Sequence, residues 1–297
     1  VSREMATAIG FIGDQSATVA LALAAAHSVD AHHDHAIIRS LIQLNDPNTL
    51  TEQLRNDSPK VRRAALIALD QIDDSPLKME QVAPHLGSAD SALARAAVWV
   101  MIHHPDWASG ILSHLRTQFK KKQWTDPETQ ALRDALQTFA PNPEVQKLIS
   151  EMLGGRLPAA HQLFLLDAIE KSEVKKLPGE WIKALGDIVM RTGEPEHSRL
   201  RVIAVARSRN IDTLDLQLKQ VAANKDAPTS LRLAALGALA PRLKIVAPEI
   251  IRYLLDLTIA DSAVTRGAAA RVLGQINLDE KQILEVAVWA IPKADAI

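Results

Sequence analysis

From Val61 the apolar positions fall at Val61, Ala64, Ala65, Ala68, Leu69 and Ile72, the i, i+3, i+4, i+7, i+8, i+11 spacing of one helical face. Leu66 and Ile67 widen that stripe. A helix apolar over so broad an arc packs against neighbours on two sides, and its alanines let their backbones approach. Related stretches recur as VSREMATAIGFIGD from Val1, LARAAVWVMIHH from Leu93, LRLAALGALA from Leu231 and TRGAAARVLGQIN from Thr265. Weaker copies begin near His33, Thr129, His161 and Leu200.

The anchors are therefore Val1, His33, Val61, Leu93, Thr129, His161, Leu200, Leu231 and Thr265. Their spacing runs from 28 residues (His33 to Val61) to 39 (His161 to Leu200), with a mean of about 33. That period holds two helices and two turns. Partner helices are expected over Ser16 to Ala26, Met79 to Gly87, Trp107 to Phe119, Pro178 to Arg191, Asp212 to Ala223 and Pro248 to Ile259. Pro59, Pro127, Pro143, Pro178 and Pro228 stand at or near first-turn positions, where a missing N–H costs nothing. The expected fold is all-α: a right-handed α-solenoid of about eight to nine helix pairs, forming one repeat domain over residues 1–297. The first residue is Val rather than Met and the opening stretch already reads as a helix body, so the chain is expected to be a segment of a longer protein or a processed product.

An Asp precedes an Arg by five or six residues at four junctions: Asp57/Arg62, Asp90/Arg95, Asp226/Arg232 and Asp261/Arg266. The Asp is expected to cap the next helix and the Arg to reach a carboxylate, forming a structural ladder. The stretch NDSPKVRRAALIALDQI (Asn56 to Ile72), with this period, resembles the turn and second helix of the HEAT repeat, and the resemblance covers nearly the whole chain. It implies that the anchor helices line the concave side of the array. DHAIIRSLIQLND, VRRAALIALDQID and VWVMIHHPDW also resemble the helical-repeat region of large secreted multidomain proteins of planctomycete-type bacteria. That narrower resemblance implies a neighbouring dehydrogenase-like β-propeller and a c-type cytochrome domain, and a secreted or periplasmic location. Neither the propeller pattern nor a CxxCH motif is present, so neither activity falls to this chain.

Composition narrows the function. Hydrophobic residues make up 47% and aromatics 3%, so the apolar fraction is mostly Ala, Leu, Ile and Val, which suits helices. With 34 basic and 35 acidic residues the net charge is -1, and no large phosphate-binding surface is expected. The absence of cysteine excludes disulfides, thiolate zinc sites and iron–sulfur clusters from this chain. No apolar run is long enough to span a membrane.

Four histidines crowd HSVDAHHDHAII: His27, His32, His33 and His35. Histidine is the commonest metal ligand. His32 and His35, three apart, share a face and are the weak metal candidates, should a neighbouring repeat supply a third ligand. The plainer reading is an inter-helix turn capped by Asp30 or Asp34. In HHPDW, His103 and His104 end a helix, Pro105 stops it, Asp106 is expected to cap the next and Trp107 to pack back. FKKKQWTD is the only basic run flanked by aromatics, a weak pointer to single-stranded nucleic acid. The nucleophile and phosphate motifs GxSxG, GxxxxGK[ST] and GxGxxG are missing.

The expected function is a non-catalytic scaffold, with no cofactor, that binds a protein partner or neighbouring domains of the same polypeptide; a small-molecule substrate is not expected. Arg39, Arg63, Arg95, Arg201, Arg207 and Arg271 are its candidate contact residues. Two alternatives stand beside it: an accessory region of a sugar-dehydrogenase-like/cytochrome c redox enzyme, and a nucleic-acid-binding repeat protein.

Overall fold

The structure, a computed structural model, describes residues 1–260 and 262–294, the side chains of 290–294 excepted. Among them are eighteen α-helices, several short 3-10 turns and no strand. The fold is all-α. Packing divides the chain into two compact units, Val1–Val145 and Gln146–Ile297.

The first unit contains α1 (Arg3–Ile12), α2 (Thr18–Ala24), α3 (Ala31–Leu44), α4 (Pro47–Gln53), α5 (Pro59–Asp70), α6 (Met79–Val82), α7 (Ser91–His103), α8 (Ala108–Gln118) and α9 (Asp126–Phe139). Odd-numbered helices form one layer, in which α1 packs on α3, α3 on α5, α5 on α7 and α7 on α9. In the second layer α2 packs on α4 and α6 on α8, and each even helix also leans on the odd helix that follows it. This is the two-helix repeat that the 33-residue period predicts.

α10 (Pro143–Gly154) leads into the second unit. There α11 (Ala159–Lys171), α13 (Glu196–Ser208), α15 (Thr229–Leu239) and α17 (Ala263–Leu273) pack in succession. α12 (Gly179–Met190) and α14 (Asp215–Ala223) form one pair on the other layer, α16 (Pro248–Leu257) and α18 (Glu280–Ala294) another.

Local chemistry sets the helix ends. The side chains of Ser2, Asp30, Asp46 and Asp90 accept from first-turn amides, and Thr125 and Glu128 form a capping box. Pro47, Pro59, Pro127 and Pro248 lie in first turns, while Pro178 and Pro228 stand one residue earlier, as N-caps. α3 ends at Asn45 in the left-handed region (φ 49°), and α1 at Gly13 (φ 75°). α4 was not among the expected partner helices. Its seven residues bury only Leu50, too few apolar positions for a period to show.

The broad stripe of α5 is buried as its pattern predicts: Val61, Ala64, Ala65, Leu66, Ala68 and Leu69 are all fully enclosed. Small residues set the closest approach. A Cβ on Gly10 would lie 2.4 Å from Gln43 Oε1 and 2.8 Å from Ser40 Cβ of α3. Gly10→Leu is therefore expected to part α1 from α3 and lower stability by about 1–3 kcal/mol, read as a fall in the urea midpoint.

Polar links across one repeat give the register a second physical form. Asp34 pairs with Arg63, Asp70 with His104, Gln162 with Ser198, Asp167 and Glu170 with Arg201, and Glu196 with Ser230. Each joins consecutive repeats within one unit.

The Asp–Arg ladder takes a different form from the expected one. Asp90 caps α7, accepting from Ala92 and Leu93 N at 3.0 and 2.9 Å. Asp57 does not cap α5; the N-cap is Ser58, with no side-chain cap bond. Asp261 lies outside the described residues. Three of the four arginines reach carbonyls instead: Arg62 donates to Asn56 O, Arg232 to Ala222 O and Arg266 to Ala260 O, at 2.8–3.1 Å, while Arg95 is exposed; Arg199, outside the ladder, donates likewise to Val189 O at 2.8 Å. The last carbonyls of a helix have no intrahelical donor. Arg199 and Arg232 satisfy such carbonyls at the ends of α12 and α14, while Arg62 and Arg266 bond the turns that follow α4 and α16.

Candidate functional site

The four histidines are dispersed. His27 closes the short 3-10 turn after α2. Asp30 caps α3 by accepting from His33 N at 2.8 Å, and that donation holds its carboxyl below the ordinary value. His32 and His35 are exposed on α3, while Asp34 is buried against Arg63. Among the described residues no three His, Asp or Glu side chains are grouped to hold a metal ion, so the structure brings no third ligand to His32 and His35.

HHPDW forms an inter-repeat node. His104 Nε2 lies 2.8 Å from Asp70 Oδ1, and its ring stacks on Trp107 at 4.0 Å and 5°. Trp107, not Asp106, holds the N-cap position of α8; Asp106 instead lies 3.9 Å from His104 Nδ1. In FKKKQWTD the rings of Phe119 and Trp124 meet edge to face at 5.0 Å, and Trp124 Nε1 donates to Gln118 O at 2.9 Å. Lys121 pairs with Glu128. Burial raises the Glu128 carboxyl, but donation from Lys121 and Thr125 outweighs it and holds the group below its ordinary value. The rings face each other, not a passing base.

The six candidate arginines separate into two groups. Arg63 and Arg201 are spent on inter-repeat ion pairs, and Arg207 reaches Gln275 Oε1 at 3.4 Å. Arg39, Arg95 and Arg271 are exposed, with no side-chain partner among the described residues.

Two further surfaces stand out. The first is the outer side of α1 and α2. α1 turns Ala6 and Gly10 inward to α3 and leaves Val1, Met5 and Ile12 exposed at 51, 55 and 75%. Val19 and Leu23, one turn apart on α2, are 44% exposed each. Single exposed apolar residues are ordinary; Val1, Met5 and Ile12 fall at helical spacing, and so do Val19 and Leu23. Periodicity does not say which apolar face of a doubly apolar helix stays uncovered.

The second is a groove in the second unit. α14 and α16 do not pack closely on one another as α12 does on α14. Between them lies a cavity of about 410 Å³. Leu236 and Leu239 of α15, Ala222 of α14 and Ile250 of α16 supply its apolar wall. Arg232 crosses it, with its guanidinium carbon 3.9 Å from the ring centroid of Tyr253. Lys219, Lys225 and Glu249 stand around it. The sequence carried one signal for this gap: PRLKIVA (Pro241 to Ala247) connects to α16, which opens at Pro248. No family model matches the sequence, and no curated protein matches it significantly.

Proposed function

We propose that this chain is a non-catalytic helical-repeat scaffold that docks an apolar helix of another protein module on the outer face of α1 and α2. The carrying observation is the exposed stripe of Val1, Met5 and Ile12 at α1, together with the exposed Val19 and Leu23 of α2. Within the same layer α3 is covered on both sides, by α1 and α5, whereas the outer side of α1 has no such cover among the described residues. The helical spacing of Val1, Met5 and Ile12 suits an apolar helix as the occupant.

The HEAT-type reading belongs to this proposal and draws support from the two-layer packing and the 33-residue register. Under its narrower form, the helical-repeat region of secreted multidomain proteins, the docked module is a neighbouring domain of the same polypeptide.

The double variant Met5→Asp, Ile12→Asp tests the surface. Both residues are exposed, so the circular dichroism and melting of the chain should be unchanged. Retention of the docked module on the immobilised chain should fall at least about tenfold. Unchanged retention overturns the proposal.

A further inference from the structure

The groove between α14 and α16 has the character of a small-molecule site. Its volume of about 410 Å³ falls in the usual range for ligand pockets, which pair apolar walls with a few placed polar groups. Its walls are fixed. Arg242, at the start of the connection, pairs with Asp215 of α14 at 2.6 Å and with Asn210 at 2.8 Å. Val246, near its end, is buried and accepts from Gln282 Nε2 at 2.9 Å. The gap is thus held open by bonds on both sides.

Its polar groups are cationic. Arg232 donates through Nε to Ala222 O at 3.1 Å, and Tyr253 covers the face of the guanidinium. No carboxylate is paired with Arg232 among the described residues, so its terminal N–H groups keep their donor capacity. Lys219 and Lys225 add two charges at the rim against the single carboxylate of Glu249. Tyr253 lines the same groove, and its hydroxyl is buried without a hydrogen-bond partner among the described residues. An unpaired buried hydroxyl is a standing cost that an acceptor oxygen offsets.

We propose that this groove binds an amphiphilic carboxylate, with the anionic head on Arg232 and a hydrocarbon body along Leu236, Leu239 and Ile250. A planar guanidinium fixed through Nε presents a two-pronged donor to a carboxylate, a geometry a lysine does not supply. The apolar wall gives the hydrocarbon a place out of water. Neither half is sufficient: a small anion leaves the wall wet, and a neutral chain leaves Arg232 unpaired. This inference is independent of docking on α1, which lies in the other unit.

Tyr253 is the only tyrosine in the chain, so 3-fluorotyrosine labelling places a single ¹⁹F reporter in the groove. The full chain is titrated separately with decanoate, decan-1-ol and acetate. Decanoate should give a saturable shift of the resonance, with weaker binding by decan-1-ol and none by acetate. Arg232→Gln should weaken decanoate at least about tenfold while leaving decan-1-ol nearly unchanged. Arg232 also clamps α14, so a second variant guards against misfolding: Ala223→Trp, at an exposed wall position, should fill the groove and abolish the shift with an unchanged melting curve. The proposal is overturned by no saturable shift with decanoate, by equal affinity for decan-1-ol, or by decanoate binding that survives Ala223→Trp.

Discussion

Trp181→Ala is expected to destabilise the second unit by about 3–5 kcal/mol, the largest single-residue effect in this chain. Trp181 is 1% exposed within α12, and its Nε1 donates to Gln146 O of α10 at 2.8 Å, a bond spanning one repeat. Truncation removes the most voluminous enclosed side chain and the inter-repeat bond together. Trp181→Phe keeps much of the volume and loses the N–H, so it should cost less. Because repeats are stabilised by their neighbours, the loss should be felt first in the packing of Gln146–Ile297. Hydrogen exchange should show lost protection in α10 to α14, with α1 to α7 close to wild type. Equal loss in both units would contradict this localisation.

The second large effect is acid lability through His114. Burial in α8 pushes its imidazole pKa down to about 4, and the nearby Lys121 ammonium acts in the same direction, while Glu128 opposes it. An unfolded histidine titrates near 6.5. Between these values the unfolded chain binds a proton that the folded chain does not, so stability rises with pH across the window. The contribution is fully present above about 6.5 and is lost as pH falls toward 4, by at most about 3 kcal/mol. His85 and His161 are shifted the same way, chiefly by burial. The carboxyls of Glu128 and Glu170 also lie below their ordinary values, so their contribution is lost at still lower pH. His114→Gln removes the titrating group, and its urea midpoint should vary much less between pH 6.5 and 4.5 than that of the wild type. An unchanged slope would contradict this assignment.

Val61 to Ile72 announced a doubly buried helix because burial on two sides widens an apolar stripe, and that information is local. Pro59 and Pro127 announced helix starts for the same reason. The Asp–Arg spacing was visible, but its meaning was not. Arg232 and Arg266 reach carbonyls rather than carboxylates, and spacing along the chain does not distinguish the two acceptors. Arg63 and Arg201 read as surface contacts because their partners, Asp34 and Asp167, lie one repeat back. The histidine cluster was readable as an inter-helix turn, and Asp30 caps the helix that follows it. The groove at Tyr253 depends on the distance between α14 and α16, which the connection before α16 permits but does not set.

The two proposals concern separate units. The first exposes an apolar helix face fit for a helical partner. The second encloses a cationic, apolar-walled groove. Both rest on the same repeat stacking.

Docking on α1 is tested most directly by placing a photo-reactive residue at Met5, at Ile12 and, as a control, at exposed Lys122 in the same unit, in the cells that make the protein. The predicted result is one discrete adduct from Met5 and Ile12 that maps to an apolar helix of another protein module, and none from Lys122. No adduct from either α1 position, or the same adduct from Lys122, would contradict docking on this face.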